Sequence, residues 1–404
     1  MSLSGADSEL LVPRGFLFSA TTAGIKVSGA PDLALAEIPQ GAAAAAMFTS
    51  NRVVAVPLVC GREHLRRSGG RVRAVIVNSG NANCATGAAG TRACNQVCRA
   101  LAKSLGCAEA EVFPASTGVI GVTLPAPKLV AAIPALLKAR AAEGEAARRF
   151  ARAIMTTDTR MKTASVRFRC GRGQATLLGV CKGAGMIHPR LATMLVYLFT
   201  DVMAAARQLQ PLLRDAVRRS FNRISIDGDT STNDTVLLLA GGASGARLDT
   251  SGARKQFAAA LNGICQSLAR QIVADGEGVQ HVVNLRIEGA RHHAEATQVA
   301  RAIANSPLVK TAWAGADPNW GRVLAAAGYS GAAIDPAKVD IFFGPHQLCR
   351  KGVAARFEES VVHAYLSQPV FDVCVRLGRG RAAADFWTCD LTADYVRINA
   401  DYRT

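Results

Sequence analysis

CKGAGMIHPRLATMLVYLFTD, residues 181–201, is the stretch around which the rest of the chain is organised. It opens with a cation and two glycines, Lys182, Gly183 and Gly185. It continues through a loop holding Pro189 and passes from Ala192-Thr193-Met194-Leu195 into an apolar run. An internal threonine is a poor nucleophile, because its hydroxyl needs a base to take the proton. A cut just before Thr193 supplies one: a free α-amine, with an unperturbed pKa of about 7.7–8.0, beside the hydroxyl of the same residue. Small Ala192 and the upstream glycines suit a backbone that strains into an N→O acyl shift. Taken alone, the triplet reads more simply as the N-cap of an apolar helix, so the flanking sequence has to decide.

Composition narrows the field. With 404 residues, half of them hydrophobic, the chain can bury a large core. Aromatics are only 5%, so that core must rely on aliphatic and alanine packing. The net charge of +17 raises a nucleic-acid reading. The basic residues are dispersed, however, and no aromatic–basic stacking platform occurs, so small acidic substrates are expected and nucleic acid is not. Eleven cysteines with no paired C-x-x-C blocks predict free buried thiols, with neither a zinc site nor a disulfide framework. No apolar run reaches the ~18 residues of a membrane span; the best candidate, residues 191–206, is broken by Asp201. The first residues show no signal-peptide pattern, and the expected compartment is the cytoplasm. LVPRG at 11–15 resembles a protease-site linker, so the opening dozen residues read as either a tag or a natural tail.

Outward from 181–201, the expected elements alternate between strands and helices. Residues 163–180 read as a hairpin turning at 170–173. Residues 127–155 read as a helical region interrupted at Gly144 and ending in a hydroxyl-rich turn around Thr156-Thr157-Asp158-Thr159. Residues 111–121 are a strand emptying into Ser116-Thr117-Gly118, whose freed N–H groups can hold a developing oxyanion or simply make an ST-turn. An apolar strand at 73–78 runs into the small-residue loop 79–84, and residues 91–105 form a helix. The alanine run 42–46 reads as low-complexity sequence.

Downstream, residues 204–222 place Leu209, Leu212, Leu213, Val217 and Phe221 on one helical face. The polar turn in 225–239 has the alternating oxygens of a metal loop, but it lacks the far Glu of a calcium site. A helix over 254–274 ends in Asp275-Gly276-Glu277-Gly278, which can present Glu277 to a cleft. Residues 312–324 read as a Pro/Gly-rich turn, and the polar end 399–404 as a frayed tail. No dinucleotide or P-loop fingerprint occurs. Helices and strands in both halves predict α/β layers spanning the chain.

At ten separate places the sequence resembles the ornithine acetyltransferase family, whose members are monofunctional or bifunctional glutamate N-acetyltransferases. The matching blocks are GIK at 24–26, NSGNAN at 78–83, STGVIG at 116–121, MTTDT at 155–159 and KGAGMI at 182–187. They continue with ATML at 192–195, DGDTSTNDT at 227–235, DGEG at 275–278 and GADPNWGR at 315–322, and NADYRT at 399–404 matches as well. The resemblance implies an α/β fold, a layered α+β sandwich with the αββα architecture of self-cleaving N-terminal-nucleophile proteins of the ornithine acetyltransferase/DmpA type. It further implies cleavage between Ala192 and Thr193 into an α chain, 1–192, and a β chain, 193–404. These stay together as a heterodimer, with a heterotetramer as the expected assembly.

The implied reaction moves acetyl from N-acetylornithine to Thr193 and on to glutamate, in arginine biosynthesis. No cofactor or metal is implied; bifunctional members also take acetyl-CoA as a substrate. By position, Thr117 and Gly118 form the oxyanion hole, and the Thr193 amine is the base. Lys182, Glu277, Asn399 and Thr404 bind substrate, with one threonine of the Thr156/Thr157 pair, Thr156 preferred. Lys182 can meet an α-carboxylate and Glu277 an amino group. The resemblance also turns the frayed tail into an ordered one. His188 and Arg190 depart from the family pattern around the proline. The competing readings are an aminopeptidase-like hydrolase on the same scaffold and a non-catalytic basic binding protein.

Overall fold

The computed structural model describes residues 9–188 and 194–401. Strand β1 (Leu17–Thr21) pairs antiparallel with the long β2 (Leu33–Phe48). Helix α1 (Val56–Arg67), strand β3 (Arg71–Asn81), helix α2 (Gly87–Leu105) and strand β4 (Val112–Val119) follow. After helices α3 (Ala126–Lys138) and α4 (Gly144–Ala153) comes the hairpin β5 (Lys162–Cys170) and β6 (Gly173–Lys182), which turns at Gly171 as expected. Strand β7 (Leu195–Thr200), helix α5 (Ala206–Arg219), strand β8 (Thr235–Ala240) and helix α6 (Ser251–Ala274) complete the main body.

Its strands lie in the order β4-β3-β2-β8-β7-β6-β5, and β2 is the hinge of that sheet. Residues 33–37 of β2 pair with β3 and, past a register slip at the exposed Pro39-Gln40 and at Gly41, so do residues 42–43, while residues 43–48 pair with β8. The two halves of the sheet thereby face one another. Phe18, Ala36, Val75 and Phe113 from one half pack with Val180, Tyr197, Phe199 and Leu237 from the other. On the outer faces, α2 and α3 cover Leu35, Ala74 and Ile76, while α5 and α6 cover Leu177, Val196 and Leu198. This is the αββα sandwich.

Strand β7 shows why the central stretch hides its period. Leu195, Tyr197 and Phe199 face the inner core and Val196 and Leu198 the helices, so residues 195–199 are all hydrophobic. The apolar run after Thr193 is therefore a buried strand, not a capped helix. The alanine run is the second half of β2. Alanine is a modest strand former, but here the packing of both layers against it overrides that preference. Residues 11–15 belong to the fold: Leu10 is buried, and the Leu11 N–H donates to Ser165 Oγ at 3.0 Å.

A second sheet follows, built from β9 (Val282–Ala290), β10 (Asp340–Phe343), β11 (His346–Arg350), β12 (Val353–Ala354), β13 (Val370–Arg376) and β14 (Ala382–Cys389). Helices α7 (His293–Ala304), α8 (Pro307–Ala314), α9 (Trp320–Gly328) and α10 (Glu359–Leu366) accompany it, and α11 (Ala393–Ala400) closes the described chain. The expected turn over 312–324 is instead the end of α8, a short link and most of α9. Ser306 and Asn319 cap those two helices, and Trp313 lies in the core. No described helix is long and apolar enough to cross a membrane.

Candidate active site

All the strands that supply site residues end or begin at one edge of the sandwich. Lys182, the last residue of β6, is buried there. Its Nζ donates to Thr156 Oγ1 at 2.8 Å and to Thr117 Oγ1 at 3.2 Å. Burial pushes this ammonium down from its usual range; the Asp158 carboxylate pulls it back, and the neighbouring Lys162 pushes it further down.

Asp158 is the hub beneath the site. Its Oδ1 accepts from Lys162 Nζ at 2.7 Å and from the Gly183 N–H at 2.6 Å. Burial alone would raise its pKa, but the Lys182 and Lys162 charges and the Gly183 amide outweigh it and hold the carboxyl at about 2. Lys162 also donates to Asp275 Oδ2 at 2.5 Å, and Asp275 accepts the Thr159 N–H at 3.0 Å. The hydroxyl-rich turn at 156–159 is thus locked to the end of α6 by buried charge.

Opposite lies the exit of β4. An ammonium only donates, so Thr117 Oγ1 accepts from Lys182 and keeps its own proton to give. Gly118 has φ +133°, and a Cβ there would meet the Gly80 carbonyl carbon at 2.3 Å, which restricts the position to glycine.

The third side is Glu277, just after α6. Its N–H donates to the Ala184 carbonyl at 2.9 Å, and its Oε2 accepts from Asn399 Nδ2 at 2.8 Å. A side chain at Gly185 would strike that carboxylate, at 2.4 Å. Helix α11, which carries Asn399, approaches closely over Gly278, where a Cβ would lie 2.5 Å from the Tyr395 nitrogen. Asp227 ties this side down, taking the N–H groups of Met186 at 2.5 Å and Ile187 at 2.9 Å, with the Tyr395 hydroxyl at 3.4 Å. Burial pushes the Asp227 carboxyl up to about 6.

Between these walls is a cavity of about 240 Å³. It brings together Thr117, Gly118, Thr156, Thr157, Lys182, Glu277 and Asn399, seven positions drawn from across the sequence. Thr193, Ala192 and Thr404 lie outside the described residues, as does Arg190. The chain resumes at Met194, whose N–H donates to Asp234 Oδ1 at 2.8 Å. His188 is half-buried, with Nδ1 3.2 Å from Asn305 Nδ2, and lines a separate depression beside Arg301 and Tyr329.

Sequence reasoning missed Ser231, Thr232 and Asn233, which line the same cavity and are buried. Their density of hydroxyl and amide groups is visible in the sequence, within the family-matching block 227–235, but points to no particular role. Among the described residues, no group of three or more His, Cys, Asp or Glu side chains could hold a metal ion.

Residues 17–404 match the ArgJ family. The arginine biosynthesis bifunctional protein of Methylococcus capsulatus is 43% identical over 404 residues, covering 99% of this chain and 98% of that protein. Its counterpart in Symbiobacterium thermophilum is 44% identical, covering 97% and 98%. Among solved structures, a chain of the Bacillus halodurans arginine biosynthesis bifunctional protein is 40% identical with a TM-score of 0.50. All of that chain is covered, by 52% of this one.

Proposed function

The chain belongs to the ArgJ family, an acetyltransferase of arginine biosynthesis, and from that premise we propose that it moves acetyl from N-acetylornithine to glutamate through an ester on Thr193. The observation that carries this reading is the shared cavity. It holds a buried cation, Lys182, and a carboxylate, Glu277, with the hydroxyl and amide donors of Thr117 and Gly118 on the same edge. A substrate bearing a carboxylate, an amine and an amide carbonyl needs that set.

The Thr193 hydroxyl attacks the acetyl carbonyl while its α-amine takes the proton. The oxyanion meets the Thr117 hydroxyl and Gly118 N–H. Collapse expels the ornithine amine, which takes the proton back. The glutamate amine then attacks the ester, its proton passing by way of the Thr193 α-amine to the departing Thr193 oxygen, which leaves N-acetylglutamate and the free Thr193 hydroxyl. Lys182 binds a substrate carboxylate and Glu277 the ornithine amino group, with Thr156, Thr157, Asn399 and Thr404 completing the pocket. Family membership favours this transfer over the hydrolase and binding-protein readings.

The reading requires cleavage into 1–192 and 193–404. The Bacillus halodurans chain, matched in full by about half of this one, has the length expected of a processed fragment. Two fragments by intact mass, and acetyl transfer lost in Thr193→Ala, are the expected results; an active, uncut chain overturns the reading. Comparing N-acetylornithine with acetyl-CoA, with glutamate as acceptor, decides whether this chain is bifunctional. Sedimentation tests the heterotetramer, expected at twice the 42.3 kDa of one chain. The proposed compartment is the cytoplasm.

A further inference from the structure

We propose that Asn233 is the positioning residue of the oxyanion donors, clasping the exits of β3 and β4 so that Thr117 and Gly118 point correctly. The inference rests on the acetyl-transfer reading above. Asn233 is buried beside the cavity. Its Nδ2 donates to the Ala82 carbonyl at 2.7 Å and to the Ser116 carbonyl at 2.9 Å, and its Oδ1 accepts the Thr232 hydroxyl at 2.6 Å. Carbonyl oxygens only accept, so the amide nitrogen must be the atom facing both of them.

β4 is the last strand of the main sheet. At such an edge a main-chain carbonyl ordinarily turns to water or goes unpaired. Asn233 reaches Ser116 from the loop before β8, across the gap between the two halves of the sandwich. The Ser116 side chain is engaged separately, donating to Asn78 Oδ1 at 2.6 Å. Because a peptide unit is planar, holding the Ser116 oxygen also holds the Thr117 nitrogen. Lys182 grips Thr117 from the other side, at 3.2 Å. Gly118 cannot set its own direction, since glycine has no side chain to lock its dihedrals. Its N–H lies in the next peptide plane, joined through the Thr117 dihedrals to the plane that Asn233 holds, with Lys182 fixing the Thr117 side chain between them.

Removing an oxyanion donor outright costs about 10²–10³ in kcat; letting both donors drift should cost less. In the full chain, Asn233→Ala is expected to lower kcat for transfer from N-acetylornithine to glutamate by about 10–100-fold, with KM within about threefold and cleavage into two fragments retained. Asn233→Asp keeps the shape but sets a carboxylate oxygen against two carbonyls, so its kcat falls further. A parental kcat in Asn233→Ala, or a loss confined to KM, overturns the clasp. If Asn233→Ala does not accumulate folded, Thr232→Val decides by removing only the hydroxyl given to Asn233 Oδ1. A fall in kcat at constant KM supports the clasp, and a parental kcat overturns it. A parent chain that transfers no acetyl group refutes the reading beneath, and the inference with it. A competent parent whose Asn233 variants are unaffected refutes the clasp alone.

Discussion

The two walls of the cavity are built differently. The wall from the first half of the chain, Thr117, Gly118, Thr156 and Lys182, stands on strand ends and on the buried Asp158–Lys162–Asp275 network. The wall of Glu277 and Asn399 stands on a loop and on a short helix none of whose residues is buried, joined by the Asn399–Glu277 hydrogen bond and by the Thr392 hydroxyl donating to the Gly278 carbonyl. A developing oxyanion needs donors held to a fraction of an ångström, whereas a flexible substrate amine tolerates a compliant partner. On the proposed reaction, the oxyanion donors and the carboxylate-binding Lys182 stand on the rigid wall, and the amine-binding Glu277 on the softer one.

The largest effect should come from the rigid wall's foundation. Asp158→Asn leaves Lys162 and Lys182 with less counter-charge in a buried site, and a stability loss of about 3–5 kcal/mol is expected at pH 7. Asp158 sits below its unfolded value, at about 2. Its contribution is therefore present above the usual carboxylate range and disappears as pH falls through that range towards 2. Denaturant titrations of parent and variant should converge on that side; a gap constant down to pH 2 would remove Asp158 as the hub.

Next comes Gly118→Ala. A Cβ at 2.3 Å from Gly80 must displace the β4 exit, and kcat should fall by about a hundredfold. Glu277→Gln should raise KM for N-acetylornithine by about tenfold and leave kcat nearly unchanged, as expected of a group that binds ground and transition states alike. Asn399→Ala, removing an exposed hydrogen bond, should raise KM by only two- to fivefold, or about 0.5–1 kcal/mol. Steady-state kinetics checks all three. A kcat effect for Asn399→Ala larger than that for Gly118→Ala would erase the distinction between the walls.

Parts of this were readable from the chain. Helix α5 announces itself because Leu209, Leu213 and Val217 return every turn, and the β5–β6 hairpin because its strands are adjacent in sequence. The motif resemblance named Thr117, Lys182 and Glu277 before any geometry. Other parts were not readable. The two faces of β7 look alike because both are buried, which erases the alternation that marks a strand. The alanines of β2 carry no strand preference of their own. Asn233 could not be assigned a role because its two carbonyl partners lie 151 and 117 residues away.

Local pattern and motif spacing, which depend only on near neighbours, were enough to determine helices such as α2, α5 and α6, the hairpin, the family and most of the residues bearing charge or hydroxyl at the site. The tertiary structure alone decided that the sheet folds over at Gly41, that seven of those residues line one cavity, and which wall is rigid. Those outcomes depend on which distant backbone groups meet and on what is excluded from water when they do. No short window of sequence contains that information.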